Sequence, residues 1–448
     1  MHSIQPYAEY KDSEHAWLGK IPQHWDILPN RAIFAEVKDR NHPEEEMLSV
    51  TITRGVIKQQ ELLSDSSKKD SSKLDRSAYK LVQPRDIAYN KMRAWQGAIG
   101  VSDLRGIISP AYIVVRLREN QNARYFHYLY RAPQFVKEAE RWSYGITSDM
   151  WSLRPEHFRM IYSPIPPRDE QGAIVRFLDD ANGRIERVIR AKKKLIALLD
   201  EQKQAIIHRI ITRGVNPDAF LKDSGIPWLG DIPTRWDVMR LKWVSRLQRG
   251  YDLPADNRRT GPIPVVSSGG IIDWHDEFRA RGPGVVMGRY GSTEAVFYLD
   301  RDFWPHNTSL FVTDFYNNLP KWCFYLLRTI SKSDYSSKSA VPGVDRKDLY
   351  EIYVPRPNKD EQVRIVDAIE RESLILDHAI QRGEREIELL REYRTRLTAD
   401  VVTGKLDVRG AASHLPVDTN ETESAGDESS QAHKLMSNLL RATNCDDR

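Results

Sequence analysis

The chain writes one segment twice. The stretch KDSEHAWLGKIPQHWD at residues 11–26 returns as KDSGIPWLGDIPTRWD at residues 222–237, an offset of 211. A second pair lies downstream of each copy. LRPEHFRMIYSPIPPRDEQGAIV from Leu153 aligns without gaps to VDRKDLYEIYVPRPNKDEQVRIV from Val344, but at an offset of 191, so the stretch between markers is 20 residues shorter in the second copy. Surface loops absorb a difference of that size. Repeats this long mark a duplicated domain pair and not a solenoid. Any fold for the 448 residues must therefore build one frame twice.

Each Pro-x-Pro segment runs into Asp-Glu-Gln, at Asp169–Gln171 and at Asp360–Gln362. Acids in the first turn mark a helix start, where the helix dipole favours negative charge. Apolar residues then recur mostly every four and three positions: Ile174, Leu178, Ala181, Ile185, Val188, Leu195, Leu199 and Ile206 in the first copy, with Lys192 and Gln202 as polar interruptions, and Ile365, Ile369, Leu376, Ile380, Ile387, Leu390, Leu397 and Val401 in the second. That spacing is a heptad seam. Gly214 and Gly404 close the two patterns as C-terminal caps would. Helices of about 44 residues span about 66 Å at about 1.5 Å per residue, too long for a compact core. The expectation is that they pack on each other, with charges such as Arg184, Arg187, Arg385 and Glu388 on a solvated face.

Between the markers lie short β-type segments broken by glycine and proline, MLSVTITRGVI, DIAYNKM and AYIVVRL in the first copy, IPVVSSGGII, GVVMGRYGS and TSLFVT in the second. Each copy adds one short helical stretch, ARYFHYLYRAPQFVKEAERW or PKWCFYLLRTISK. The fold class is α+β: two mixed domains of about 130 residues alternating with two long helices that pair as a coiled coil. The expected boundaries are 1–165 for the first domain, 166–216 for the first helix, 217–356 for the second domain, 357–410 for the second helix and 411–448 for an acidic disordered tail. Trp17, Trp25, Trp228 and Trp236 recur in both copies and are expected to anchor the cores.

Chemistry is mostly excluded. The chain has no phosphate loop, no HExxH, no GxSxG and no strand-flanked GxGxxG. The glycine-rich GPGVVMG from Gly282 has the wrong spacing for a dinucleotide site. Two cysteines, Cys323 and Cys445, and twelve scattered histidines form no metal spacing. No run of eighteen apolar residues and no signal-like start occur, so no membrane partner and a cytoplasmic location are expected. The net charge is +4; residues 411–448 hold seven acids against three bases, which leaves +8 on the rest. A basic excess fits a nucleic-acid partner without demanding one. Turns that mix bases, aromatics and small polar groups supply the candidate contacts. They are Arg54, Lys91, Arg93, Trp95, Gln96, Arg141, Tyr144 and Ser148 in the first domain, and Ser267, Ser268, Arg289, Tyr290, Ser292, His306, Asn307 and Lys338 in the second.

The doubled WLGxIPxxWD, the Pro-x-Pro strand into DEQxxIV, the two long helices and GRYGS together resemble the DNA-specificity subunit of type I restriction-modification systems, over about Lys11 to Arg409. The resemblance implies two target-recognition domains, each reading one half of a split double-stranded DNA target, and two long helices paired as an antiparallel coiled coil that serves as a spacer. It also implies a non-catalytic chain without its own cofactor. Two modification (methyltransferase) subunits would bring S-adenosylmethionine, and restriction (translocase/endonuclease) subunits ATP and Mg2+. The residues alone leave two alternatives open, a coiled-coil scaffold and a DNA-acting enzyme without a recognisable motif.

Overall fold

A computed structural model describes residues 5–64, 76–118, 121–147, 150–330 and 343–416. Ser148, Lys338, Cys445 and the acidic tail from Val417 lie outside them. The chain divides into two compact units, one of residues 1–190 and 387–448 and the other of residues 191–386. The two long helices, Arg168–Arg213 and Lys359–Val402, each give one stretch to each unit.

The repeated opening segment is a β-hairpin in both units. Tyr10–Asp12 pairs with Lys20–Pro22, and Leu221–Asp223 pairs with Asp231–Pro233. The turn bonds match one for one: Ser13 N donates to Gly19 O and Leu18 N to His15 O, as Ser224 N does to Gly230 O and Leu229 N to Ile226 O. Gly19 and Gly230 sit at φ +64° and +59° with open space where a Cβ would lie, so backbone conformation alone selects glycine there. The hairpin delivers Trp25 and Trp236 fully into their cores, while Trp17 and Trp228 pack half-buried against the same clusters. Burying a large apolar side chain contributes roughly 1.5–3 kcal/mol, so the repeated tryptophans are a frame device and not a reading one.

Beyond the hairpin, Asp26–Pro29 pairs antiparallel with Tyr162–Ile165, and Asp237–Arg240 with Tyr353–Arg356. The interior of each unit thus leaves and returns through one ladder. Each interior is built on a four-stranded antiparallel sheet with the same order. In the first unit Phe34–Val37, Tyr112–Leu117, Ile87–Asn90 and Ile99–Val101 are neighbours in that sequence; in the second, Arg246–Arg249, Ser309–Asp314, Gly284–Gly288 and Val296–Leu299. Helices Ala123–Arg131 and Pro133–Arg141 bring Phe126, Leu129, Tyr130 and Phe135 to the first core. Helix Pro320–Thr329 brings Trp322, Leu326 and the buried Cys323 to the second. The additions to the frame differ. The first unit carries the pairs Leu48–Thr51 with Gly55–Lys58 and Lys80–Val82 with Gly106–Ile108; the second carries a three-stranded sheet of Gly270–His275, Ile263–Ser267 and Trp304–Pro305.

The Asp-Glu-Gln motifs do more than start helices. Glu170 and Gln171, like Glu361 and Gln362, are buried, and they tie each helix to its domain. Gln171 Nε2 donates to Pro166 O at 2.9 Å and its Oε1 accepts from Asn122 N at 3.0 Å; Gln362 repeats both bonds with Pro357 O and Leu319 N at 3.0 and 2.9 Å. Each lock is completed by the end of the other helix. Gly404, at φ +76°, lies against Pro22 and Trp25 so closely that an added Cβ would clash, and Gly214, at φ +75°, lies against Trp236.

The helix pairing is antiparallel. In the second unit Lys192 pairs with Glu386, Lys203 with Asp377 and Arg209 with Glu372, so each step up one helix is a step down the other; in the first unit Arg394 pairs with Glu186. Such partly exposed pairs contribute little stability but specify register. On the second helix the expected seam residues are all buried or half-buried, whereas on the first, Val188 and Leu195 are exposed. The seam there takes Ile189, Ile196 and Lys203 instead, together with the expected polar interruption Lys192. A stripe counted in apolar residues steps over lysines whose ammonium groups find carboxylates on the neighbouring helix.

His127 stitches the Leu48–Lys58 pair to the first four-stranded sheet. It packs on Gly55 and Gly100, and its Nδ1 accepts from Val101 N at 3.3 Å. Burial, then Arg131 and Arg124, lower its pKa to about 3. The unfolded chain protonates near about 6.5. This depressed pKa contributes stability that is full above about pH 6.5 and is lost as pH falls toward about 3. Urea melts at pH 7, 5.5 and 4.5 are expected to fall more steeply for this chain than for His127→Asn, which keeps the acceptor. The limiting difference is about 1.4 kcal/mol per pH unit; parallel melts would show that His127 titrates normally.

Candidate nucleic-acid interface

In the first unit the described candidates other than Arg141, which ends the helix Pro133–Arg141, fall on three neighbouring loops. Arg54 is exposed in the turn at 52–54, with a 3.4 Å ion pair to Glu61. Arg131 holds that turn beside the next loop. Its guanidinium donates to Ile52 O and Thr53 O at 2.8 and 2.7 Å and to Ile99 O at 3.0 Å. The next loop, 91–97, carries Lys91, Arg93, Trp95 and Gln96; Arg93 donates to Gln96 Oε1 at 3.0 Å, and Trp95 Nε1 to Met92 O at 2.9 Å. Trp95 meets Trp151 edge to face with ring centres 5.4 Å apart, which joins this loop to the third, at 142–152. There Tyr144 is 59% exposed against His157 and Ile146 is 92% exposed. An open hollow of about 580 Å3 is lined by Lys91, Met92, Tyr144, Ile146, Met150 and Arg154 among others. Arg141 stands just before this loop, exposed, 3.5 Å from Glu138.

In the second unit the candidates converge on Thr308, which the sequence reading missed. Its carbonyl accepts from Arg289 N and Tyr290 N at 3.0 and 3.3 Å, and its hydroxyl is 3.4 Å from Ser268 N and 3.2 Å from His306 Nδ1. Three loops far apart in sequence are thereby drawn together. Arg289 stacks over the ring of its neighbour Tyr290, 4.4 Å from the centroid, and Tyr290 is 42% exposed. Asn307 Nδ2 donates to Asp252 Oδ1 at 2.6 Å. Burial first, and Arg258 second, lower the His306 pKa, so its ring is neutral near pH 7. Ser292 is exposed beside the turn that Gly291 makes at φ +73°. Ser267 is different. It is buried, and its hydroxyl is committed to the turn, donating to Gly270 O and accepting from Gly269 N at 3.2 Å each. A Ser-Ser-Gly-Gly turn needs one serine for itself, and sequence does not say which.

Polar, basic and aromatic side chains on surface loops can bond phosphate oxygens and base edges. Among the described residues no cluster of His, Cys, Asp and Glu could hold a metal ion, and no helix is long and apolar enough to cross a membrane.

Two frames alike in strand order, opening hairpin and helix lock, each displaying different loops, define a protein with two variations on one domain. Known proteins agree with that build. Residues 233–387 match the family described as the type I restriction modification DNA specificity domain. The specificity subunit of the type I restriction enzyme MjaVIII from Methanocaldococcus jannaschii is 33% identical over 93 residues, which are 21% of this chain and 20% of that protein's length. The match thus spans about a fifth of the relative. A chain from a solved structure concerned with complex assembly and conformational transition of the type I restriction-modification system has the same fold, with a TM-score of 0.63 at 16% identity over 86% of this chain and 99% of the other.

Proposed function

We propose that this chain is the DNA-specificity subunit of a type I restriction-modification complex and catalyses no step itself. It reads a bipartite, asymmetric double-stranded target, one half with each unit. Partner subunits perform the chemistry: two methyltransferase subunits transfer a methyl group from S-adenosylmethionine to adenine, and restriction subunits translocate and cleave DNA with ATP and Mg2+. The observation that supports this most is the contrast between frame and loops. Trp25, Glu170 and Gln171 recur as Trp236, Glu361 and Gln362, while the loops around Trp95 and Tyr144 have no counterpart in those around Thr308 and Arg289. Identical heads would suit a palindromic target; unlike heads suit two different half-sites.

The test is a map of methylated adenines in source cells with and without this chain. A motif of two unlike halves separated by unread base pairs is expected to vanish on deletion. Persistence of every methylated motif would overturn the assignment.

A further inference from the structure

In the second unit Arg279 is exposed, and no carboxylate of the described residues lies within ion-pair distance of it. Three other arginines of this unit are neutralised: Arg258 pairs with Asp273, Arg259 with Asp276 and Glu277, and Arg301 with Asp300. Aromatic faces hold Arg279 instead. Its guanidinium carbon lies 5.0 Å from the centroid of Trp304 and 6.0 Å from that of Tyr251. Both rings are themselves fixed. Trp304 is buried and its Nε1 donates to Tyr251 O at 3.4 Å, while Tyr251 N donates to Pro305 O at 2.8 Å and Tyr251 bridges to His306. The backbone of Arg279 is tied to the same place, its N donating to Phe303 O at 3.1 Å.

A guanidinium held by ring faces and not by a carboxylate keeps N–H groups for another acceptor, and its planar fork matches the O6 and N7 acceptors of guanine in the major groove. We infer that Arg279, placed over the Trp304 and Tyr251 rings beside the His306–Asn307 loop, reads a guanine in the half-site of the second unit. This rests on the DNA-specificity reading above. Trp304 and Tyr251 are positioning residues, since they orient the fork without touching DNA through it. An ordinary surface arginine on a phosphate would need neither ring.

The full chain, purified with whatever proteins accompany it, is incubated with duplexes carrying a randomised central stretch, and the bound fraction is sequenced for the chain and for Arg279→Ala, Arg279→Lys and Tyr251→Leu. Arg279→Ala is expected to relax one G·C position in one half-site by roughly 5- to 150-fold and to leave the other half unchanged. Arg279→Lys keeps the charge but loses the fork, so it should relax the same position, and Tyr251→Leu should do so more weakly. Uniform weakening by Arg279→Ala with normal binding by Arg279→Lys would make the residue a phosphate contact and overturn the inference, as would an unchanged motif in all three variants. No enriched motif with the unsubstituted chain would instead remove the DNA-specificity reading, and this inference with it.

Discussion

Replacing residues 30–161 by the corresponding interior of another specificity chain is expected to switch one half of the methylated motif and leave the other half intact. The first unit's interior begins and ends at one ladder, where Asp26 faces Ile165 and Pro29 faces Tyr162. Cuts just inside that ladder are neighbours in space, and the hairpin, Trp25 and the Glu170–Gln171 lock all stay behind. The graft must supply the core that Phe126, Tyr130 and Phe158 now give. It must also fill the place of Asn30, which binds Tyr130 OH and Phe158 O. Each mismatched base pair typically costs about 1–3 kcal/mol, so a half-site of a few base pairs is discriminated by several orders of magnitude. The switch is therefore all or none in a methylome. A motif altered in both halves would mean that the two units do not read independently.

Much of this frame is legible in the sequence because it is written twice. Two copies separate what folding needs from what varies: the tryptophans, the hairpin glycines and Asp-Glu-Gln return at matching places, and the structure puts each in a core, a turn or a lock. Both long helices and their capping glycines follow from periodicity. Periodicity finds Lys192 as an interruption of the stripe but cannot weigh a lysine against an apolar neighbour, so Val188 and Leu195 stand in the expected stripe while Lys203 occupies the real one. The candidate loops are less legible for a different reason. Arg279 lies 28 residues after Tyr251 and 25 before Trp304, and only the three-stranded sheet of the second unit brings them together. Thr308 was hidden similarly, since a hub of hydrogen bonds has no spacing to recognise. Ser267, by contrast, looked available because a turn's own need for a hydroxyl is invisible until its backbone is placed.

The two locks predict unequal losses from the same substitution. In the first unit the buried carboxylate of Glu170 accepts from Tyr7 OH, from Trp25 Nε1 at 2.9 Å and meets His24 Nε2 at 2.8 Å. Burial and the carboxylate beside it push the Tyr7 hydroxyl pKa up, so that hydroxyl remains a donor. In the second unit Glu361 takes one bond of 2.9 Å from Arg235, the counterpart of His24, while Glu361 Oε2 and Trp236 Nε1 have no partner among the described residues. Truncating Glu170 orphans two buried donors at about 1–3 kcal/mol each, whereas truncating Glu361 frees an exposed arginine and orphans nothing new. Glu170→Ala should therefore cost about 3–5 kcal/mol, a large part of a typical domain's stability, and Glu361→Ala about 1 kcal/mol. Hydrogen exchange can read the two units separately in one chain: the strands Ile87–Asn90 and Tyr112–Leu117 should lose protection in the first variant, and Gly284–Gly288 and Ser309–Asp314 should barely change in the second. Equal losses in both units would show that the helices are held by apolar packing around Trp25 and Trp236, with the carboxylates as passengers.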